Sequence, residues 1–227
     1  MSPKMITKKS VRFVKQRMFL FNIFKRTTDI VGSIFLLIIF SPIMLITTIF
    51  VKLSSPGPIF FHQQRVGKNS KPFSMPKFRS MYIGDNDKRL KDNYPDLWQK
   101  YKNSGWKLPM KEDPRITPVG KVIRSLTVDE FPQLISVLKG HMSLVGPRAY
   151  REEELQEYQQ KFPHTKKFID NIRSVKPGIT GPWQTSGRNE LSFEKRAQLD
   201  SHYIQNRSMR QEILILLKTP LAMLSRW

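Results

Sequence analysis

One uncharged apolar run, residues 30–51, constrains this sequence more than any other feature. Its length matches what a helix needs to cross a hydrocarbon core about 30 Å thick. The run is too long and begins too far from the N-terminus for a cleaved signal peptide, and the small-residue cleavage pattern is missing. The sequence therefore predicts a helix that is embedded in a membrane.

Ser41 and Pro42 lie in the middle of this run. Pro42 has no N–H and its ring collides with the carbonyl of Ile38, so a helix should bend here, and the Ser41 hydroxyl can bond the freed carbonyl. Basic residues flank both ends of the run, so the positive-inside rule gives no direction of crossing. Two interpretations remain open from these residues: a re-entrant helix–break–helix, with halves about 16 Å long, and a kinked helix that crosses once.

Charge and composition limit the partners and the chemistry. The formal net charge is +21, from 39 Lys and Arg against 18 Asp and Glu, which favours phosphorylated molecules, anionic lipid or nucleic acid. The absence of Cys excludes disulfides, thiolate nucleophiles and Cys-ligated metals. The four His have no metal-ligand spacing. Any metal is therefore expected to be a hard ion such as Mg²⁺, bound by carboxylates and phosphates.

Composition also divides the sequence into three segments. Residues 1–29 mix Phe, Leu and Met with Lys and Arg, which is typical of a basic amphipathic helix at a lipid interface. Residues 30–52 contain the apolar run. Residues 53–227 are mainly polar and form the expected globular domain, within which residues 85–115 are predicted to be a helical insertion.

Short patterns predict the main elements of the polar domain. A strand near Ile59 follows the turn SSPGP, and the polar turn RVGKNSKPF precedes a second strand near KFRSM, which together predict a β-hairpin. Residues 126–138 and 150–162 are each predicted to form a helix. Ser208 begins a capping-box pattern, SMRQ, that opens an apolar C-terminal helix.

The segment RSLTVDEFPQLISVLKGHMSLVGPRAY carries the first candidates for chemistry, the adjacent carboxylates Asp129 and Glu130. A structural explanation is also open, because Thr127 to Glu130 matches a capping box and acids are favoured in the first turn of a helix. Basic residues in short motifs beside turns favour a role in chemistry over a structural role for the two carboxylates. Arg presents a planar fork that matches phosphate oxygens, and Gly or Pro turns can aim it. The candidate phosphate-binding residues are Lys77, Arg79, Arg115, Arg124, Arg148 and Arg188.

The motifs VDEFPQLISVLKGHMSLVGPR, KFRSM and VKPGITGPWQTSGRNELSFEKRAQLDSHYI resemble the bacterial sugar transferase family, over residues 19–219. The resemblance implies a helix-dominated α+β fold. Its parts would be an N-terminal re-entrant membrane helix broken at Ser41 and Pro42, interfacial amphipathic helices, and a small catalytic domain with a short β-hairpin. The resemblance further implies a minimal catalytic form located at the cytoplasmic face of the bacterial inner membrane.

The same resemblance implies the reaction. Asp129 would attack the sugar-bearing phosphate of a UDP-sugar and release UMP, and undecaprenyl phosphate would then take the phosphosugar from the carboxylate. Mg²⁺, bound partly by Asp129, would neutralise the diphosphate. Glu130 would place the metal or handle a proton. The expected partners are the UDP-sugar, undecaprenyl phosphate and anionic membrane lipids, and a second copy of the chain is a further candidate.

The sequence also bears on which sugar is transferred and on alternative functions. The insertion ending in KEDPRIT resembles that of members handling galactose or glucose 1-phosphate, which favours a hexose. His141, Ala149 and Pro182 depart from the residues frequent in the family, but none of them belongs to the carboxylate pair. A membrane-anchored nucleic-acid-binding protein fits the charge but lacks a recognisable module, so no nucleic acid is expected. A non-catalytic scaffold of a polysaccharide assembly complex is the alternative function.

Overall fold

The computed structural model describes residues 8–104, 108–187 and 191–224. The helices are α1 (Lys8–Ser54), α2 (Asn86–Asn93), α3 (Pro95–Asn103), α4 (Pro118–Ser125), α5 (Gln133–Leu138), α6 (Glu152–Lys161), α7 (Lys166–Arg173), α8 (Phe193–Gln205) and α9 (Met209–Leu224). The strands are β1 (Phe60–Val66), β2 (Pro72–Phe78), β3 (Ser143–Val145) and β4 (Gly178–Thr180). The described part of the chain is therefore α+β and dominated by helices, as the sequence predicts.

Helix α1 continues without interruption through Pro42. The Oγ atom of Ser41 donates a hydrogen bond to the carbonyl oxygen of Ile38 at 2.8 Å, and this is the carbonyl that Pro42 deprives of its N–H partner. The predicted separation into two helices is therefore not seen, since the hydroxyl replaces the missing donor. By length and composition α1 could cross a membrane. A re-entrant path stays a prediction.

The predicted hairpin is confirmed, with a shift in its second strand. Strands β1 and β2 form a two-stranded sheet, and β2 ends at Phe78 rather than extending through KFRSM. The connecting turn is tighter than its sequence suggests, because Asn69 and Ser70 both adopt positive φ angles, 57° and 60°. These conformations reverse the chain within a few residues and let the strands extend into the predicted loop.

A second small sheet was not predicted from the sequence. Strands β3 and β4 are parallel, with Ser143 opposite Gly178 and Val145 opposite Thr180. Gly178 lets the two backbones approach each other closely, since a Cβ atom there would collide with the backbone of Gly146. The polar domain thus carries a parallel strand pair in addition to the hairpin.

The predicted helix over residues 126–138 is wrong in its first half. Thr127 adopts a left-handed conformation, residues Val128–Glu130 form a single 3₁₀ turn, and α5 begins only at Gln133. Pro132 has no N–H and cannot continue a helix from the preceding turn. The predicted helices near residues 150–162 and after Ser208 are confirmed as α6 and α9.

The chain forms two compact units. The first contains residues up to Phe35, Arg65–Phe73 and Leu134–Leu224; the second contains Leu36–Gln64 and Ser74–Gln133. The core of the first unit packs α6, α7 and α8 around the fully buried Leu155 and Ile169. The carboxyl group of Asp29 in α1 accepts hydrogen bonds from Ser143 Oγ and the Leu144 amide, both at 2.8 Å. Polar contacts therefore fix the N-terminal part of α1 to β3 within this unit.

The core of the second unit joins α1 to the segment that carries the two carboxylates. Its buried members are Val51, Phe78, Ile123 and Val128, with Met44, Ile59, Val119 and Phe131 packed against them. Helices α2 and α3 lie within residues 85–115, and that these residues are an insertion stays a prediction. The Asp85 side chain caps α2 by accepting a hydrogen bond from the Lys88 amide at 2.9 Å. The apolar helix is thus part of the same core as the candidate chemistry.

Candidate active site

Asp129 and Glu130 lie on the 3₁₀ turn, which apolar contacts hold on both sides. Val128 is buried in the core of the second unit. Phe131 stacks on Phe40 of α1, with ring centroids 4.3 Å apart. The carboxylate pair is therefore fixed between two residues that pack against the apolar helix.

Two basic side chains approach this turn from different elements. Lys77, near the end of β2, places Nζ 2.6 Å from Oε1 of Glu130. Arg124 lies in the last turn of α4, and its charge acts on Asp129, as does that of Lys77. Of the six basic candidates, the structure therefore brings Lys77 and Arg124 to the carboxylate pair.

Helix α4, which carries Arg124 in its last turn, is held at its N-terminal end. The Thr117 hydroxyl caps the helix by accepting a hydrogen bond from the Gly120 amide at 2.8 Å. The Thr117 amide in turn donates to the carbonyl oxygen of Ser80 at 3.0 Å. Gly120 is required for this approach, since a Cβ atom there would collide with the Ser80 backbone. The helix therefore has a fixed position on the end of the hairpin.

Burial raises the pKa of Asp129 to about 6, while Lys77 and Arg124 pull that pKa down and Glu130 pushes it up. The residue is 8% exposed, so desolvation opposes the charged form of its carboxyl group. A carboxylate with a pKa about 6 is mainly ionised near neutral pH, yet it is poorly hydrated. The ionised form is the one that acts as a nucleophile or metal ligand, and carboxylates with perturbed pKa values concentrate at functional sites.

The capping-box explanation of this segment is wrong. The Glu130 carboxylate bonds Lys77, and no side-chain hydrogen bond caps the turn at Thr127. The Thr127 hydroxyl is buried and finds no hydrogen-bond partner among the residues that the structure describes. The acidic pair is therefore not explained by the start of a helix.

Arg79 and Arg115 have other partners in the structure. The Arg79 guanidinium donates to the carbonyl oxygens of Val51, Ser55 and Pro56, at the C-terminal end of α1. Arg115 forms a two-point hydrogen-bonded pair with Asp113, at 2.8 and 2.9 Å. These contacts give both side chains a part in holding the fold, and a phosphate-binding role for them stays a prediction.

Arg148 belongs to a buried cluster in the first unit. Its amide donates to Oδ2 of Asp200 at 3.1 Å, and its guanidinium lies 5.1 Å from the ring centre of Trp183. Burial raises the pKa of Asp200 to about 8, against the lowering effects of the Arg148 amide and of the Arg148 and Arg196 charges. Asp200 is not among the site residues that the sequence predicts. The signal was its position on the buried face of α8, where Arg196, Ala197 and Ser201 are also buried.

Arg188, the remaining candidate phosphate ligand, lies outside the described residues.

The carboxylates suit one kind of metal. Among the described residues, no group of three or more His, Cys, Asp or Glu side chains could hold a metal ion. Mg²⁺ usually binds one or two protein carboxylates together with substrate phosphates and water. Because Glu130 is paired with Lys77, Asp129 is the side chain best able to contribute to such a site.

Comparison with known proteins places these features in a family context. The model of the bacterial sugar transferase family matches residues 20–226. The exopolysaccharide production protein ExoY of Sinorhizobium fredii is 39% identical over 206 residues, which cover 90% of this chain and 88% of that protein. The undecaprenyl-phosphate galactose phosphotransferase of Salmonella typhimurium is 40% identical over 97% of this chain and 42% of its own length. A UDP-N-acetylgalactosamine-undecaprenyl-phosphate N-acetylgalactosaminephosphotransferase of Aeromonas hydrophila is 37% identical over 86% of this chain and 42% of its own length.

Proposed function

Because the chain belongs to the bacterial sugar transferase family, we propose that it transfers a sugar 1-phosphate from a UDP-sugar to undecaprenyl phosphate in the assembly of an exopolysaccharide or another surface glycan. It is an enzyme of the phosphoglycosyl transferase class. The observation that carries the proposal is the buried carboxylate of Asp129, which is influenced by the charges of Lys77 and Arg124.

The proposed reaction has two displacements at one phosphorus atom. A carboxylate oxygen of Asp129 attacks the sugar-bearing phosphorus, and the bond to the bridging oxygen breaks, so that UMP leaves with the electron pair. A phosphate oxygen of undecaprenyl phosphate then attacks the same phosphorus and breaks its bond to Asp129. The products are UMP and a lipid diphosphate sugar, and the carboxylate is regenerated.

The basic residues of the site have separate parts in this proposal. Lys77 and Arg124 oppose the negative charge that accumulates when a carboxylate approaches a diphosphate. Glu130 holds Lys77 in position through the 2.6 Å ion pair. Mg²⁺ bound at Asp129 would supply further neutralisation of the diphosphate.

The membrane location of the acceptor is supported by the packing of the carboxylate turn. Phe131, directly after Glu130, stacks on Phe40 in the middle of the apolar helix. A water-soluble donor and a lipid-bound acceptor must meet at the same carboxylate, and this contact keeps the turn next to the helix that associates with the membrane. We place the enzyme at the cytoplasmic face of the inner membrane, with α1 following a re-entrant path that bends near Ser41 and Pro42.

The proposed sugar is a hexose, galactose or glucose. The named relatives do not decide this point, since transferases of galactose and of N-acetylgalactosamine phosphate are 40% and 37% identical to this chain. The proposal rests on the resemblance of the segment ending in KEDPRIT to that of family members handling galactose or glucose 1-phosphate.

Release of UMP by the detergent-purified protein tests the function. The protein is incubated with a panel of UDP-sugars, with and without Mg²⁺ and undecaprenyl phosphate. We expect UMP formation that depends on the lipid and the metal and is fastest with a UDP-hexose. Preference for an N-acetylated donor would overturn the sugar assignment alone. A folded protein that releases no UMP from any donor would indicate the non-catalytic scaffold.

A further inference from the structure

Thr127 precedes the carboxylate turn in a conformation that is unfavourable for its side chain. Its φ and ψ angles are 59° and 15°, in the left-handed region. A β-branched residue is a genuine outlier there, and such strain costs of the order of 1–3 kcal/mol. The other described non-glycine residues with positive φ are Asn69 and Ser70, both in the turn of the hairpin.

The same residue carries a second unfavourable feature. Its Oγ1 atom is buried and has no hydrogen-bond partner among the described residues. Thr117 and Ser125, the neighbouring hydroxyl residues of α4, both have partners, the Gly120 amide at 2.8 Å and the Val122 carbonyl oxygen at 2.7 Å. The two hydroxyls closest to Thr127 in sequence are therefore bonded, whereas that of Thr127 is not.

The backbone of Thr127 connects the two parts of the site. Its amide donates to the carbonyl oxygen of Arg124 at 3.1 Å, and its carbonyl oxygen accepts from the amide of Glu130 at 3.3 Å. The residue is thus tied at one end to the helix that presents Arg124 and at the other to the turn that presents Asp129. Its position is fixed by these bonds, without any contribution from the hydroxyl.

We propose that Thr127 is a substrate-binding residue whose hydroxyl donates a hydrogen bond to a phosphoryl oxygen of the diphosphate donor. The inference rests on the proposed function, since it assumes that the diphosphate binds at Asp129. Strain and an unbonded buried donor are common where a site is organised before its ligand arrives. A phosphoryl oxygen is an acceptor of the required kind, and hydrogen bonds to charged acceptors are the stronger ones.

The test compares Thr127→Val with Thr127→Ser in the full chain. Valine keeps the shape and removes the hydroxyl, so we expect donor kcat/KM to fall by about 10- to 100-fold, the effect of one hydrogen bond to a charged group. Serine restores most of that loss. The KM for undecaprenyl phosphate stays unchanged, and a change confined to that KM would overturn the assignment to the donor.

The melting temperature of the variants distinguishes a substrate-binding role of the Thr127 hydroxyl from a structural role. Removing a buried hydroxyl that has no partner should leave the melting temperature of Thr127→Val equal to or above that of the wild type. Thr117→Val is the matched control, because its hydroxyl caps α4 and its loss should lower the melting temperature. If Thr127→Val loses stability and activity together, the hydroxyl is structural and the inference is wrong.

Binding of UDP tests the role of Thr127 separately from the proposed transfer reaction. UDP carries the diphosphate, and its binding is measured by the rise in melting temperature, whether or not any sugar is transferred. We expect Thr127→Val to weaken UDP binding by about 10-fold or more. Ser125→Ala, whose hydroxyl bonds the Val122 carbonyl, should bind UDP like the wild type. Equal UDP affinity in wild type and Thr127→Val would overturn the inference, whereas a wild type that releases no UMP would overturn the proposed function.

Discussion

Lys77 illustrates how a single side chain can affect chemistry more than stability. Its ammonium group is 2.6 Å from Glu130, and both side chains remain partly exposed, at 21% and 32%. Ion pairs in such surroundings contribute at most about 1 kcal/mol to folding, because water competes for both charges. The same ammonium group lowers the pKa of Asp129 and would face an incoming diphosphate.

Replacing Lys77 with Met should therefore reduce UMP release by about 100- to 1000-fold, the range found when one electrostatic stabiliser is removed from an active site. The melting temperature should change little. Steady-state kinetics and thermal unfolding of the same preparation measure the two effects. Lys100→Met is the control, because Lys100 forms an exposed ion pair with Glu112 and should alter neither quantity. Normal turnover by Lys77→Met would remove Lys77 from the site.

Asp200 predicts a pH dependence of stability. Burial raises its pKa from the ordinary 3.8 to about 8, so between these values the folded protein holds a proton that the unfolded chain releases. The free energy of unfolding should consequently fall as pH rises through this window.

Asp200→Asn should remove that part of the dependence. Between pH 5 and 8 the melting temperature of the wild type should fall more than that of the variant. A difference of about 2–4 °C corresponds to 1 kcal/mol in a chain of this size. Asp170→Asn, which changes an exposed carboxylate on α7, should behave like the wild type. Parallel curves for wild type and Asp200→Asn would contradict the raised pKa.

Among the elements, α1 depends on a side chain that is distant in sequence. The guanidinium of Arg79 bonds carbonyl oxygens at its C-terminal end, including those of Val51 at 3.0 Å and Ser55 at 2.7 Å. A helix leaves its last carbonyls without intrahelical donors, and a cation there also offsets the negative end of the helix dipole.

Arg79→Met should thus destabilise the protein by at least about 1.5–3 kcal/mol, the contribution of one hydrogen bond from a charged donor. Denaturant or thermal unfolding in a mild detergent measures the loss. Arg89→Met, at an exposed arginine of α2, is the control and should be close to neutral. If the two variants are equally stable, the capping role of Arg79 is wrong.

Elements with a strong local signal could be predicted from the sequence. The apolar helix, the hairpin and α9 follow from a continuous apolar run, turn residues or a capping pattern. The β3 and β4 pair could not, because each strand has three residues and their pairing joins segments far apart in sequence. The single helix predicted over residues 126–138 failed because Thr127 adopts a left-handed conformation that nothing in its residue type suggests.

The candidate site, too, could be predicted from the sequence only in part. Asp129 and Glu130 could be singled out from their motif, and the structure places Lys77 and Arg124 near them. The sequence could not reveal that Arg79 and Arg115 bond carbonyl and carboxylate oxygens of the protein itself, since these partners are brought close only by folding. Asp200 was missed because one carboxylate within a helix normally faces solvent.

At the scale of the whole molecule, the membrane path of α1 is the main structural prediction. A re-entrant helix returns to the side from which it enters, so tags at both termini should be accessible only from the cytoplasmic side. Cysteine labelling of intact cells and of inverted vesicles measures this, and the chain contains no Cys to interfere. An N-terminal cysteine labelled from outside the cell would show that α1 crosses the membrane.

The most direct test of the proposed reaction follows the phosphorus atom itself. A UDP-hexose labelled in its sugar-bearing phosphate is incubated with the enzyme, Mg²⁺ and undecaprenyl phosphate, and the label is counted in the lipid and nucleotide fractions. Transfer of a sugar 1-phosphate predicts that the label enters the lipid and that the nucleotide product is unlabelled UMP. Asp129→Asn, folded and still associated with the membrane, should transfer none. Label retained in UDP, or transfer by Asp129→Asn at the wild-type rate, would contradict the account.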